Sequence, residues 1–389
     1  MSSEQLRIAF FTNTFVPDIN GVAHCIRILR DELHRRGHMV YVFAPAPADE
    51  APVEDDPLVI RFPSLPIFSM DYSLAVPLSP PATRALRGVS FDIVHTHHPL
   101  WVGVWGAWYA RRKRLPLVTT IHTHYELFAS LVPLPRPLVM AYLRGRVRRY
   151  CNKCHAVTTP AESNRRRLVR LGVTVPVFVV PNPIELEPFE KADGRLVRQR
   201  YGLEGKFVVG YLGRLSPEKR VDTLLQAFAS ASRQLDNAHF LIVGDGPSRR
   251  QVEELVRTLK LKGRVTLAGA VPHAEVPDYH AAFDVLVAAS LGETQPLAYA
   301  EAMAAGTPVV AVAAMGAVDM IQDGVNGYLV SRACAVEQMA DTLLRIARSP
   351  GLRHSLSQGA RKWAGRYSPH AAAERLFEAY EEAMRRAPS

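Results

Sequence analysis

The sequence predicts an α/β chain made of two successive doubly wound parallel sheets. Three observations carry this. Short apolar runs alternate with amphipathic stretches, the β–α–β rhythm of strands covered by helices on both faces. The rhythm breaks near residue 187, where prolines and charges gather in "VVPNPIELEPFE", and then restarts. At 389 residues the chain exceeds one ordinary core and suits two.

In the first unit "LRIAFFT" reads as a strand. A glycine-containing loop and the helix "VAHCIRILRDELHRRGH", closed by Gly37, follow it. "MVYVFAP", "FDIVHTH", "LPLVTTIHT", "CHAVTTP" and "VPVFVVPN" are the next strands, with helical patterns between most of them. In the second unit "KFVVGYLGRL" is a strand and "RVDTLLQAFASASRQL" a helix. The strands "HFLIVGDG", "RVTLAG", "DVLVAAS" and "TPVVAVA" follow, separated by helices. Both units are therefore Rossmann-like. We place the first at 1–187 and the second at 188–369. The tail "SPHAAAERLFEAYEEAMRR" reads as an amphipathic helix, about 370–389, with Leu376, Phe377 and Tyr380 on one face. It is expected to pack back on the first unit.

Composition narrows the class. Hydrophobic content of 48% with 22% charged residues is globular. Four cysteines do not make a disulfide scaffold, so a reducing cytoplasm is expected. "MSSEQLRIAFFTNTF" lacks the features of a signal peptide. The longest apolar run, "PLWVGVWGAWYA" from Pro99 to Ala110, falls short of the roughly eighteen residues of a membrane span. The net charge of +10 is uneven. Residues 1–185 hold 22 Lys+Arg against 14 Asp+Glu, an excess of +8, and residues 186–389 hold 25 against 23, an excess of +2. Within 111–170 the count is 14 against 2. That segment suits a nucleic acid, an anionic membrane or a phosphorylated ligand, or equally the solvated helix faces of an arginine-rich protein.

Ligands of such folds sit outside the carboxyl ends of the strands, and four segments lie there. In "TNTFVPDINGVAHCIRIL", Gly21 admits close backbone approach at a helix start suited to an anion. The spacing is not G-x-G-x-x-G, which disfavours a dinucleotide cofactor. In "GYLGRLSPEKRVDTLL", Arg214 and Lys219 flank a Ser-Pro helix start and make a diphosphate clamp, with ordinary surface charge as the alternative. "VGDGPSRRQ" places Gly244 and a second glycine between a strand and a helix. In "GETQPLAYAEAMAAGTPVV", Pro296 is expected in the first helical turn with Thr294 as cap, so that Glu293 stands outside the helix mouth and Glu301 inside the helix. A carboxylate accepts two hydroxyl hydrogen bonds. Two carboxylates flanking an anion-binding helix start therefore suit the two sugars of one nucleotide sugar, Glu301 taking the ribose and Glu293 the transferred hexose.

These segments, in order and at matching spacing with "LIVGDGP" and "IQDGVNGYLV", resemble glycosyltransferase family 4, the retaining nucleotide-sugar-dependent enzymes of GT-B fold. The E-x7-E pattern of "ETQPLAYAEAMAAGTPVVA" is its most specific element. The resemblance implies two Rossmann-like domains facing a central cleft, acceptor-side first and donor-side second. It implies donor binding by Gly21, Arg214, Lys219, Gly244, Glu293, Thr294, Gln295, Leu297 and Glu301. It also implies a role for His122 of "TIHT" at the reacting centre, where Glu293, Arg214 and Lys219 act as well. No cofactor and no metal is implied, since the nucleotide sugar is a substrate. "FTNTFVPDINGVA", "DIVHTHHP", "TTIHTHYELF", "RYCNKCHAVTTPAES" and "ETQ" are most similar to the diacylglycerol glycosyltransferase branch, whose members make α-glycosyl diacylglycerols from UDP-hexose at the membrane surface. The branch of phosphatidylinositol mannosyltransferases, which use GDP-mannose, is also close. Two positions depart from the family pattern. Pro296 and Pro183 stand where glycine is usual, and Pro296 removes one N–H donor from the helix mouth.

The branch implies a lipid acceptor and peripheral attachment to the inner face of the cell membrane. Trp101, Tyr125, Arg144, Arg146, Arg148 and Arg149 are the residues assigned to acceptor or membrane. The arginines lie on "RPLVMAYLRGRVRRYCNK", which reads as an amphipathic helix. Trp101, Trp105 and Trp108 form a helical stripe that suits core packing or a lipid-facing wall. "CNKCH" matches a haem-attachment or zinc pattern, against which a buried thiol pair is the better reading. His95, His97, His98, His122 and His124 suit metal ligation or the lining of an acceptor site. No second carboxylate stands as a nucleophile, so the expected reaction is a same-face displacement in which the departing diphosphate takes the acceptor's proton. A nucleotide-sugar 2-epimerase is the competing enzyme, and a basic nucleic-acid-binding protein the competing class, though no recognised nucleic-acid module accompanies the charge.

Overall fold

A computed structural model describes residues 5–18, 20–47, 56–66, 73–75, 79–126 and 134–388. Leu127 and Phe128 of "YELF" lie outside the described residues. The chain divides into two units, Met1–Pro183 with Pro369–Ser389, and Ile184–Ser368.

The N-terminal unit contains β1 (Arg7–Phe11), β2 (Met39–Pro45), β3 (Val59–Phe62), the short antiparallel pair β4 (Ser64–Pro66) and β5 (Ser73–Ala75), β6 (Ile93–Thr96), β7 (Leu117–Thr120), β8 (Ala156–Thr159) and β9 (Val177–Val179). Seven of these form one parallel sheet in the order β3-β2-β1-β6-β7-β8-β9. Its central strands are buried on both faces, as Ile8, Ala9, Phe10 and Phe11 show, which is why they read as continuous apolar runs. The last helix, Pro369–Arg386, belongs to this unit. Leu376, Phe377 and Tyr380 enter one core with Ile26, Leu33 and Val118.

The C-terminal unit contains β10 (Phe207–Leu212), β11 (Ala238–Val243), β12 (Val265–Gly269), β13 (Val285–Ala288), β14 (Val309–Val312) and β15 (Gly327–Val330), all parallel, in the order β12-β11-β10-β13-β14-β15. Alternate residues of β10 serve opposite faces. Val209 packs with Phe228 and Leu343, whereas Val208 packs with Tyr299 and Met303. The edge strands β3 and β15 and the β4–β5 pair have no counterpart among the expected strands. β3 is only "VIRF", and β15 begins at the glycine of Asn326-Gly327, a pair that in sequence reads as a turn.

In each sheet the order reverses at one place, between β1 and β6 and between β10 and β13. Because all strands run the same way, the loops leaving their carboxyl ends gather at one edge. In the C-terminal unit this edge is tightened by backbone packing. Leu215 N donates to Asp245 O and Ser248 N to Leu215 O, each at 2.9 Å. Gly244 sits in this contact with φ +128°, and a Cβ there would lie 2.0 Å from Gly213 O. Gly244→Ala should therefore lower stability by about 2–4 kcal/mol, combining left-handed strain with overpacking. Urea unfolding of the two proteins checks this, and a difference below 1 kcal/mol (about a fivefold change in the folding constant) would contradict it.

Candidate functional site

In the C-terminal unit the loops after β10 and β13 bring Lys219 and Glu293 together. Lys219 Nζ donates to Glu293 Oε1 at 2.7 Å, and each side chain is about a quarter exposed, 25% and 28%. Lys219 closes a single 3-10 turn, Pro217–Lys219, which the following helix, Val221–Ser232, continues after a left-handed Arg220 at φ +52°. The pair lines an open pocket of about 360 Å³ whose walls include Tyr211, Ser290, Pro296 and Tyr299. Burial raises the phenols of Tyr211 and Tyr299, and the nearby Glu293 carboxylate raises them further.

The helix carrying Glu301 is Leu297–Ala304. Pro296 is its N-cap and Leu297 its first residue. Thr294 is not the cap, so that expectation is corrected: Thr294 and Gln295 are buried in the loop ahead of the helix. The loop after β14 explains this. A Cβ on Gly316, at φ +83°, would lie 2.6 Å from Glu293 O and 2.8 Å from Thr294 O, so the two loops pack backbone against backbone. Glu301 is 8% exposed, one turn into an alanine-rich helix whose small side chains let it pack closely. Its Oε2 lies 3.4 Å from Nε2 of His280, which is fully buried. Neither His280 ring nitrogen finds a hydrogen-bond partner among the described residues, and nor does the buried Ser290 hydroxyl in the pocket wall. His280 and Ser290 had no signal in the sequence. His280 stands inside a helical pattern and Ser290 at the end of a strand, and only tertiary packing shows their position beside the site.

Arg214 and Gly244 lie on the loops that follow β10 and β11. Arg214 is exposed, and its carbonyl accepts the Tyr211 hydroxyl at 2.8 Å. Gly244 N donates to Gly269 O at 2.8 Å, so its amide is engaged with the neighbouring strand end.

In the N-terminal unit Gly21 opens the helix Gly21–Arg35, and Asn20 caps it by accepting from Ala23 N at 2.9 Å. His122 follows β7 and is buried. Its Nε2 shares a hydrogen bond of 3.1 Å with Nδ1 of His97. His98 meets the Tyr125 hydroxyl at 3.3 Å, and His95 joins the Tyr380 hydroxyl at 2.8 Å and Thr120 at 2.7 Å. His97, Thr120, His122 and Asn182 line a second pocket of about 300 Å³. Burial pushes His122 and His124 down to about 4 and His95 and His98 to about 3. His97 falls well below its usual value through burial and the surrounding imidazoles. These rings are neutral near pH 7.

Among the described residues no group of three or more His, Cys, Asp or Glu is placed to hold a metal ion. In "CNKCH" both thiols are buried, burial raises Cys151 to about 12, and His155 Nδ1 accepts from Leu117 N at 2.8 Å. The segment is structural.

The tryptophan stripe is divided: Trp105 packs against the core and the other two do not. Trp101 is 46% and Trp108 64% exposed, and Trp105 packs edge-on against Phe62. The helix Arg136–Cys151 buries Val139, Val147, Tyr150 and Cys151. Leu138, Tyr142 and Arg149 share its exposed side, so polarity changes along the axis as well as around it. Arg148 and Arg149 are exposed and Arg146 is half-buried, while Arg144 Nε lies 3.4 Å from Glu126 Oε1.

An imidazole held below its ordinary pKa of 6.5 stays neutral in the fold, while the unfolded chain takes up a proton. The stability this gives is complete above about pH 6.5 and is lost as pH falls toward 4 and then 3. Urea unfolding followed by tryptophan fluorescence should show the N-terminal unit, which holds three of the four tryptophans, weakening steeply across that window. A flat profile between pH 6.5 and 4 would contradict the neutral assignment.

The family model described as "Glycosyltransferase Family 4" matches residues 19–188, and "Glycosyl transferases group 1" matches residues 195–363. The chain is 33% identical over 316 residues to the alpha-monoglucosyldiacylglycerol synthase of Streptococcus pneumoniae, covering 79% of this chain and 71% of that protein. It is 30% identical to a GDP-mannose-dependent alpha-mannosyltransferase of Mycobacterium tuberculosis, covering 84% of each. The crystal structure of Anabaena HepE in complex with UDP-glucose superposes with a TM-score of 0.73 at 20% identity, over 97% of this chain and 100% of that one.

Proposed function

The chain belongs to the family 4 glycosyltransferases, and from that premise we propose that it moves a hexose from a UDP-sugar, with glucose the first candidate, to a membrane lipid such as 1,2-diacylglycerol. One observation carries the donor half of this reading. Two carboxylates eight residues apart stand at the carboxyl edge of one parallel sheet, and one of them is bonded to a lysine.

Lys219, with Arg214, neutralises the diphosphate as negative charge builds on it during bond cleavage. Glu301 accepts from the ribose hydroxyls and Glu293 from those of the hexose. Thr294, Gln295 and Leu297 shape the mouth between them. His122, neutral and held by His97, orients the donor or acceptor from the N-terminal unit. The sugar–phosphate bond breaks as the acceptor oxygen attacks from the same face, and the departing phosphate takes the acceptor's proton. Cationic side chains supply the charge, so the nucleotide sugar is a substrate and no metal takes part.

The acceptor half is supported by the synthase relative and by the N-terminal surface. Trp101, Trp108, Leu134, Leu138 and Tyr142 are exposed apolar groups, and Arg148 and Arg149 stand on the same helix as the last two. Aromatic and basic groups together suit an anionic lipid surface, at about 1 kcal/mol per basic residue. Among the described residues no helix is long and apolar enough to cross a membrane, so attachment is peripheral in this reading. The mannosyltransferase relative supports a second reading with GDP-mannose as donor, and the resemblance to the neighbouring branch makes phosphatidylinositol its acceptor.

Incubation of the whole chain with UDP-glucose or GDP-mannose, and with diacylglycerol or phosphatidylinositol in vesicles, tests this by product mass. Glucosyl diacylglycerol is expected, formed faster on anionic than on neutral vesicles, more slowly as salt rises, and unchanged by EDTA. A mannosylated phosphatidylinositol would select the second reading. Conversion of the sugar nucleotide without acceptor would reject both in favour of an epimerase.

A further inference from the structure

The ion pair Lys219–Glu293 has a consequence for how the site tells substrate from product. We propose that Glu293 makes the site discriminate the complete sugar nucleotide from the nucleoside diphosphate left after transfer, because the diphosphate alone must draw Lys219 away from Glu293 without replacing it. The proposal rests on the reading of the C-terminal unit as the donor site.

The observations are geometric. Lys219 Nζ and Glu293 Oε1 are 2.7 Å apart, and both line the same pocket. The pair joins two loops rather than neighbours on one helix, so it is part of the pocket and not a surface contact along a helix face. Three-quarters of each side chain is out of solvent. Beside Glu293 stand two buried phenols, and the remaining wall is largely apolar, with Leu286, Ala289 and Pro296. Glu293 lines that wall together with Tyr211 and Tyr299.

A carboxylate in such surroundings is costly without a partner, and removing the partner of a desolvated ion pair costs more than making the pair gains. A diphosphate that reaches Lys219 brings a second anion to the same ammonium. Two anions sharing one small cation repel each other, so Glu293 must loosen as the phosphate engages. The two ligands then differ. The complete donor carries hydroxyl groups on its hexose, and these donate to the carboxylate as the lysine leaves it. Both partners of the broken pair are satisfied. The bare nucleoside diphosphate has no hydroxyl at that end, so Glu293 is left to whatever water reaches it. The penalty falls on the product and not on the substrate. It lowers product affinity without lowering substrate affinity, and so favours release after each turnover.

A neutral amide at position 293 removes the penalty. It forms no ion pair with Lys219 and does not repel phosphate, yet it retains hydrogen-bonding capacity toward a sugar hydroxyl. Calorimetry on the whole chain with UDP and with UDP-glucose compares the wild type with Glu293→Gln. Glu293→Ala serves as a second variant that does not depend on how the amide orients. Both should bind UDP more tightly than wild type, by about three- to tenfold, the scale of a partly exposed ion pair. Neither should bind UDP-glucose more tightly, so the preference for the complete donor shrinks or reverses. Unchanged or weaker UDP binding in both variants would overturn the proposal while leaving the donor site in place. A wild-type protein that binds neither UDP, GDP nor their hexose derivatives would overturn the donor reading itself, and the proposal with it.

Discussion

The contact between Lys219 and Glu293 ties together the loops that leave β10 and β13, the two strands on either side of the point where the order of the C-terminal sheet reverses. Most of the unit's architecture serves to bring those loops to one place. Parallel strands put every carboxyl end on the same edge. Gly244 lets the loop after β11 press on the loop after β10, and Gly316 lets the loop after β14 press on the one that carries Glu293. Each of these contacts is backbone on backbone, so the positions of the two charges follow from the fold rather than from flexible side chains. Glu301 is fixed by a different means, on a helix of small residues with His280 behind it.

The N-terminal unit solves another problem, that of keeping polar groups inside a sheet edge. Five histidines are buried there, and they are tolerated because they are uncharged and several bond one another or nearby hydroxyls. The chain Tyr380–His95–Thr120 links the terminal helix to the middle of the sheet, which gives that helix a polar anchor as well as its apolar face. Burial sets the protonation of His122, whose ring is neutral near pH 7.

The alternation of strands and helices and the carboxylates at positions 293 and 301 were legible in the sequence because both are local patterns, a periodicity and a fixed spacing. The pairing of Lys219 with Glu293 was legible only as two separate motifs, since their contact spans 74 residues and depends on sheet order. Thr294 looked like a helix cap on chemistry alone, but the neighbouring loop at Gly316 holds it in the approach and leaves Pro296 at the cap. The tryptophan stripe shows the limit of periodicity. A spacing of four and three residues says that Trp101, Trp105 and Trp108 share a side of a helix, and says nothing about whether that side meets the sheet or the solvent. Ser290 and His280 carried no signal because an unpaired buried polar atom is a property of its surroundings.

A crystal structure of the whole chain with UDP-glucose tests the central claim most directly, that two carboxylates at one sheet edge read the two sugars of one donor. The account predicts the ribose hydroxyls on Glu301, the hexose hydroxyls on Glu293, and Lys219 turned from Glu293 to the diphosphate. A donor bound with its ribose away from Glu301, or with Lys219 still on Glu293 and no phosphate oxygen within hydrogen-bond reach, would contradict it.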